Sequence, residues 1–221
     1  MSIEVTYIDH MGSDLSVVNA ARVSFGKTSE MDMSDQWGPP KLKEKDAKLI
    51  KYLAKHKHMS PFNHTFLTVH VKAPIFVARQ LQKHEYMPWN EISRRYSTEK
   101  IFFYEPDYWR DKSKDKKQGS GGKSQSQYFP NIYVKEVAEK ALGDYKKMLT
   151  QGIAPEQARM ILPQNMMTEW YWSGTLGAFA KMCNLRCKPD TQLETRIVGN
   201  EVSDIMLRYF PVSWEALRHD Y

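Results

Sequence analysis

The stretch Phe66-Leu67-Thr68-Val69-His70-Val71-Lys72-Ala73-Pro74-Ile75-Phe76-Val77-Ala78-Arg79-Gln80 changes periodicity in its middle, and that change decides the fold class. Leu67, Val69 and Val71 alternate with polar residues and so share one face of an extended chain; Phe66 to Ala73 reads as a strand. Pro74 lacks an N–H and has a preset φ, which suits the first position of a helix carrying Phe76 to Gln80. Upstream, the alternation of Ile3, Val5 and Tyr7 predicts another strand. Ser13-Asp14 then starts a helix to about Ser24, with Leu15, Val18 and Ala21 on one face. Asp46 starts a second, with Leu49, Ile50, Leu53 and Ala54 as its apolar side. Downstream, Val134, Val137, Ala141, Tyr145 and Met148 recur at three- and four-residue spacings, which marks an amphipathic helix. A short helix begins near Pro155, Thr168 to Ser173 favours a strand, and Leu176 to Cys183 and Gln192 to Tyr209 read as helices before Pro211. Strands and helices do not alternate regularly enough for a doubly wound sheet. The expectation is an α+β fold, an antiparallel sheet packed with helices, in a single elaborated domain over residues 1–221.

A chain of 221 residues with 41% hydrophobic and 26% charged residues can organise one core, which excludes global disorder. No apolar run reaches the ~18–20 residues of a membrane span, and MSIEVTYIDHMG has neither a basic nor an apolar leader region, so a cytoplasmic location is expected. Cys183 and Cys187, four apart on a predicted helix, have poor geometry for a disulfide; core packing is the reading for them, with no adjacent base to make a nucleophile. The net charge of +6 suits a nucleic-acid binder or an enzyme with an anionic substrate. Half of that excess lies in residues 111–127, DKSKDKKQGSGGKSQSQ, which contain no apolar side chain and are predicted to be a mobile polar surface loop. A basic tether for RNA or DNA is the alternative reading of that segment. Residues 32–45, with Gly38-Pro39-Pro40, form a second predicted loop.

The densest polar cluster is Arg79 to Ser97, RQLQKHEYMPWNEISRRYS. A solvated helix face would explain its charges. It would not explain why Asn90-Glu91-Ile92-Ser93-Arg94-Arg95-Tyr96-Ser97 gathers a carboxylate, hydroxyls and guanidiniums into what reads as one turn after Pro88. Ser-x-Arg in a turn suits a phosphate: the hydroxyl and backbone N–H groups give short hydrogen bonds, and the guanidinium gives charge and a fork.

These residues resemble the flavin-dependent thymidylate synthases. The family fingerprint runs Arg-Gln, then Arg-His-Arg, then Asn-Glu-x-Ser-x-Arg-Tyr-Ser; here it reads Arg79-Gln80, Lys83-His84-Glu85 and Asn90 to Ser97. Four further blocks occur in the family's order: Ala20 to Ser24, His58 to His64, Ala158 to Pro163 and Asn184-Leu185-Arg186. The resemblance implies methylation of dUMP with methylenetetrahydrofolate as carbon donor, FAD as cofactor and NADPH as reductant, in a homotetramer with active sites at subunit junctions. It also implies that Gln80, Lys83, Glu91, Ser93, Arg94, Arg95, Arg159 and Arg186 hold dUMP, with Arg186 catalytic through the uracil ring, and that Ser60, Lys83, His84 and Glu91 hold FAD.

The chain departs from the family where Lys83-His84-Glu85 replaces Arg-His-Arg, and around Thr175, Gly177 and Lys181, where an Asn and an Arg are usual. Those changes keep dUMP hydroxymethylation open as a rival activity, beside the nucleic-acid-binding reading. Five of the seven His fall between His56 and His84, but with no metal-ligand spacing, so no metal site is expected. Trp170-Tyr171-Trp172 reads as core, subunit interface or a stacking surface for a ligand.

Overall fold

The computed structural model describes residues 1–35, 37–115 and 119–218. Its elements, in chain order, are β1 (Glu4–Met11), α1 (Asp14–Arg22), α2 (Glu44–Lys55), β2 (Phe66–Pro74), α3 (Ile75–Leu81), β3 (Trp89–Glu91), β4 (Arg110–Lys112), β5 (Ser120–Lys123), α4 (Tyr128–Thr150), α5 (Pro155–Ala158), β6 (Met167–Thr175), α6 (Leu176–Arg186), α7 (Leu193–Tyr209) and α8 (Pro211–Leu217). The main sheet has the order β1-β2-β6-β3 with every pair antiparallel, and β4-β5 form a separate ribbon. This is the α+β architecture that the change of period at Pro74 implies.

The register explains the two-faced sheet. Leu67, Val69, Val71 and Ala73 lie opposite Gly174, Trp172, Trp170 and Thr168, and all eight are buried. The alternate residues meet on the other face, where the Thr68 and Ser173 hydroxyls are 2.9 Å apart and His70 Nε2 lies 3.3 Å from Glu169. Trp170 and Trp172 are therefore core, while Tyr171 between them is 49% exposed. Trp89 of β3 stacks on Trp170 at 4.3 Å, and an aromatic pair of this kind contributes about 0.5–1.5 kcal/mol beyond area burial.

Two buried carboxylates fasten the helices. Asp14 accepts hydrogen bonds from the Val212 and Ser213 N–H groups at 3.0 and 2.9 Å, so the first residue of α1 caps the start of α8. Asp46 is fully buried on the Arg22 guanidinium, 2.5 Å away, and also accepts from Ser29. Burial pushes its carboxyl up, but the Ser29 and Arg22 hydrogen bonds outweigh this and hold it below the usual range.

Several local expectations change. Pro74 ends β2 and takes the N-cap position, so Ile75 is the first helical residue. Helix α2 starts two residues ahead of Asp46, which is an inward-facing residue of its first turn. Val17 and Val18, not Leu15, form the buried stripe of α1. The turn expected after Pro88 begins as the edge strand β3, because Trp89 and Glu91 pair with Trp172 and Trp170. In the predicted loop 111–127, Arg110 pairs with Lys123 and Lys112 with Ser120; residues 116–118 lie outside the described residues, as does Gln36 of the loop at 32–45. The ribbon is anchored by its flank, since Arg110 donates to Ser120 at 2.6 Å and to both oxygens of buried Glu194 at 2.7 and 2.9 Å. A reading confined to the polar segment could not supply those distant partners.

Candidate active site

The candidate centre forms where the end of α6 meets the end of α3 and the residues after it. Gly199 lets α7 close on that point: a Cβ there would come within 3.1 Å of Cys187 Sγ and 3.5 Å of Arg186 Cβ, so α7 lies tightly against the end of α6. Arg186, the last residue of α6, donates through Nε to His84 Nε2 at 3.1 Å and through Nη2 to the Gln80 carbonyl at 3.3 Å. His84 Nε2 is thus an acceptor and the ring is neutral. Burial, then the Arg186 charge, then that of Lys181, pull its pKa down to about 4. Burial also lowers the Arg186 pKa, though a guanidinium keeps its charge at neutral pH. The neutral imidazole orients the cation without cancelling it.

This pair lines an open cavity of about 1540 Å³. Its apolar floor includes Met59, Ala178, Ala180 and Leu217, and its rim carries Lys51, Lys55, Lys57, Lys83, Lys181 and Lys188 against only Glu85 and Glu215. Much of the protein's positive excess therefore surrounds one cavity, in addition to the polar segment at 111–127. Gly177 forms part of its wall; a Cβ there would lie 2.7 Å from Asn63 Oδ1, and Asn63 also accepts from the Thr175 hydroxyl at 2.9 Å. Thr175 in turn caps α6 by accepting from the Ala178 N–H at 3.1 Å. Apolar lining that suits a flat ring, with Lys83 after α3 and Lys181 of α6 beside it, suits a flavin dinucleotide. Ser60 is exposed in the 3₁₀ turn Ser60–His64, between Met59 and Asn63 of this wall.

The other residues implied by the fingerprint lie elsewhere in the chain. Glu91 accepts from the Thr168 hydroxyl at 2.5 Å and from Trp89 Nε1 at 3.2 Å. Ser93 Oγ accepts from Arg95 Nε at 3.1 Å, and exposed Arg95 lies over the Tyr96 ring at 5.0 Å. Exposed Arg159 donates to the Glu156 carbonyl at 3.3 Å. Glu91 is fixed at the Thr168 end of β6, whereas Thr175 and Gly177 border the cavity; seven strand residues separate those points by about 20 Å. One chain brings Lys83, His84, Arg186 and the Gln80 backbone together. Glu91, Ser93 and Arg95 are not among the residues that line this cavity.

Two members of the implied dUMP set have internal partners instead. Arg94 is buried, with its Nη atoms donating to the carbonyls of Ser97, Glu99 and Met167 at 3.2–3.3 Å, so it braces the turn that displays Ser93 and Arg95. With both Nη groups committed to backbone carbonyls and Nε buried without a partner, this guanidinium is poorly placed to take a phosphate. The Gln80 amide donates to Gln192 and accepts from Thr195 at 3.0 Å, which leaves its backbone carbonyl to orient Arg186. Glu85, the reversal of a family cation, points beside Lys181 at 3.9 Å with 70% of its side chain exposed, so solvent and that neighbour weaken its repulsion of an anion. The sequence reading missed the lysines of α2 altogether. Their signal was present in the four-residue step from Lys51 to Lys55, opposite the apolar side of the helix.

A second, smaller cavity of about 470 Å³ lies between α3, α4 and the β4-β5 ribbon, bordered by Phe76, Tyr104, Trp109 and Tyr133. Burial and then Glu194 push Tyr104 up to about 12, so it stays a neutral phenol. No group of His, Cys, Asp and Glu suited to a metal ion occurs among the described residues.

The profile of the family described as "Thymidylate synthase complementing protein" matches residues 6–212. A flavin-dependent thymidylate synthase of Thermus thermophilus is 39% identical over 212 residues, covering 96% of this chain and 74% of that protein. One from Thermotoga neapolitana is 34% identical over 215 residues, covering 96% and 89%. Among solved structures, the UMP/dUMP methylase PolB from Streptomyces cacaoi, bound with 5-Br dUMP, superposes with a TM-score of 0.82 at 31% identity, covering 97% of this chain and 94% of that one. With the fingerprint, the fold and relatives of this similarity in agreement, the chain belongs to the flavin-dependent thymidylate synthase family.

Proposed function

We propose that the protein methylates dUMP at C5 to give dTMP in the cytoplasm, with methylenetetrahydrofolate as carbon donor and NADPH as reductant through FAD. The observation that carries this reading is Arg186 held by neutral His84 and the Gln80 carbonyl at the edge of the large cationic cavity. A fixed guanidinium beside the uracil ring favours the N3-deprotonated form and moves electron density towards C5; such preorganised charge acts most strongly where water is excluded. Bound flavin supplies the reducing equivalents. Lys83, His84 and Ser60 hold it from one chain, and Glu91 contributes from another. Ser93, Arg95 and Arg159 take the phosphate. Because Glu91, Ser93, Arg95 and Arg159 do not line the cavity that holds Lys83, His84 and Arg186, the site is completed across subunits, in a homotetramer.

The test combines a spectrum with a product mass. Freshly purified protein should show flavin bands near roughly 370 and 450 nm, characteristic of the cofactor itself. With dUMP, methylenetetrahydrofolate and NADPH it should release dTMP. A product heavier by one oxygen would establish hydroxymethylation instead, the activity that Lys83 and Glu85 keep open. UMP belongs in the same assay, given the likeness to a UMP/dUMP methylase. A colourless protein that cannot be reconstituted with FAD and releases no nucleotide product overturns the reading.

A further inference from the structure

Two strained residues mark the mouth of the large cavity. Helix α2 ends with the Lys57 N–H bonded to the Ala54 carbonyl at 3.0 Å and the His58 N–H to Leu53 at 2.9 Å, the double closure that usually places glycine in the left-handed position. Here that position holds Lys57, at φ 56°. Tyr86, which also borders the cavity, has φ 59° and is 91% exposed. Backbone strain at a ligand-facing residue points to a function for its side chain. Lys51 and Lys55 lie one helical turn apart, about 6 Å along the axis, and lead towards Lys57. Neither Lys51, Lys55 nor Lys57 forms an ion pair among the described residues. Lys181 provides positive charge on the opposite wall.

We infer that Lys51, Lys55 and Lys57, with Tyr86, form a subsite for a flexible chain of successive carboxylates joined to an aromatic ring, as in the p-aminobenzoyl poly-γ-glutamyl tail of a folate donor. This rests on the proposed folate-dependent reaction. The chemistry of the cations favours such a tail over a single fixed phosphate. Ammonium groups on long, mobile stems present point charges along a track, whereas planar, bidentate phosphate recognition favours guanidinium. The exposed Tyr86 ring gives the aromatic part a surface to stack on.

The test titrates the flavin-loaded full chain with p-aminobenzoyl-pentaglutamate and p-aminobenzoyl-monoglutamate at low and high salt. The wild-type protein should bind the pentaglutamate at least about tenfold more tightly at low salt, with the advantage shrinking as salt screens it. Lys57→Gly should unfold at the same or a higher temperature while losing part of that advantage, since glycine relieves the φ but removes the ammonium. Lys51→Ala, Lys55→Ala and Lys57→Gly together should reduce the advantage below about twofold. Equal wild-type affinity for the two probes, or an advantage that survives the triple substitution, overturns the proposal. So does a triple variant that loses FAD affinity, read by flavin fluorescence quenching, with the pentaglutamate-to-monoglutamate ratio unchanged; the lysines then serve the cofactor's phosphates. A protein that shows the chain-length preference yet makes no dTMP leaves the subsite standing and removes the proposed reaction.

Discussion

His84 stays neutral because Arg186 and burial both oppose a proton on it, and this gives the protein an acid-sensitive point. Between about pH 6.5 and pH 4 the imidazole of the unfolded chain takes up a proton that the folded one refuses, so acid favours unfolding across that window. The thermal midpoint should fall as pH drops from 6.5 to 4, and His84→Gln should flatten that slope while keeping an acceptor for Arg186. An unchanged slope in the variant would show that His84 is not the group responsible. The two cysteines should separate in the same way. Hydrogen bonding from Cys183, then the nearby Arg218, outweighs burial and lowers Cys187 to about 7, whereas burial raises fully enclosed Cys183 well above the ordinary thiol value. Iodoacetamide should therefore label Cys187 with a midpoint near pH 7 and leave Cys183 unmodified until the protein unfolds, as peptide mass mapping would read. Neither thiol faces the reacting groups as a nucleophile, so Cys183→Ser with Cys187→Ser should retain turnover within about tenfold.

Helix α6 lines the cavity wall from Gly177 to Arg186, so its placement sets both the proposed flavin cradle and the guanidinium. Gly177 is the closest approach on that wall. Gly177→Ala should push Asn63 or the helix aside, cost about 1–3 kcal/mol in urea unfolding and weaken FAD binding; retained FAD affinity would mean that the wall yields without moving the cradle. The sequence made β2 legible because it buries alternate residues over nine positions, and β6 because its aromatic run favours a strand. It left β3 unread because three residues cannot display a period, and β3 exists by pairing with β6. The β4-β5 ribbon escaped for a related reason, as Glu194, its anchor, lies 84 residues from Arg110. The Ser93-Arg94-Arg95 motif was visible as chemistry. Which of the two guanidiniums faces solvent depends on the carbonyl of Met167, 73 residues from Arg94.

At the scale of the whole molecule, Arg186 lines the large cavity and Arg95 does not, so the proposed completion of the site across subunits predicts complementation between chains. Arg186→Ala and Arg95→Ala should each be nearly inactive when pure. Co-refolding them in equal amounts should restore up to about one quarter of wild-type activity if every site draws the two residues from different chains, because a quarter of random pairings contain both. Restoration within error of zero would place both residues of each site in the same chain. The same sheet has a consequence for how the protein is made. The Thr68 and Ser173 hydroxyls that meet across β2 and β6 are 105 residues apart, so a ribosome must synthesise a further hundred residues before β2 acquires its inner neighbour. Until then, β2 has β1 on one edge, its inner edge is open, and α7, which also packs on it, is still to be made. The nascent chain therefore spends several seconds, at about 5–20 residues per second, with the inner edge of an apolar strand unpaired, so slower translation of the stretch between β2 and β6 should lower the soluble yield.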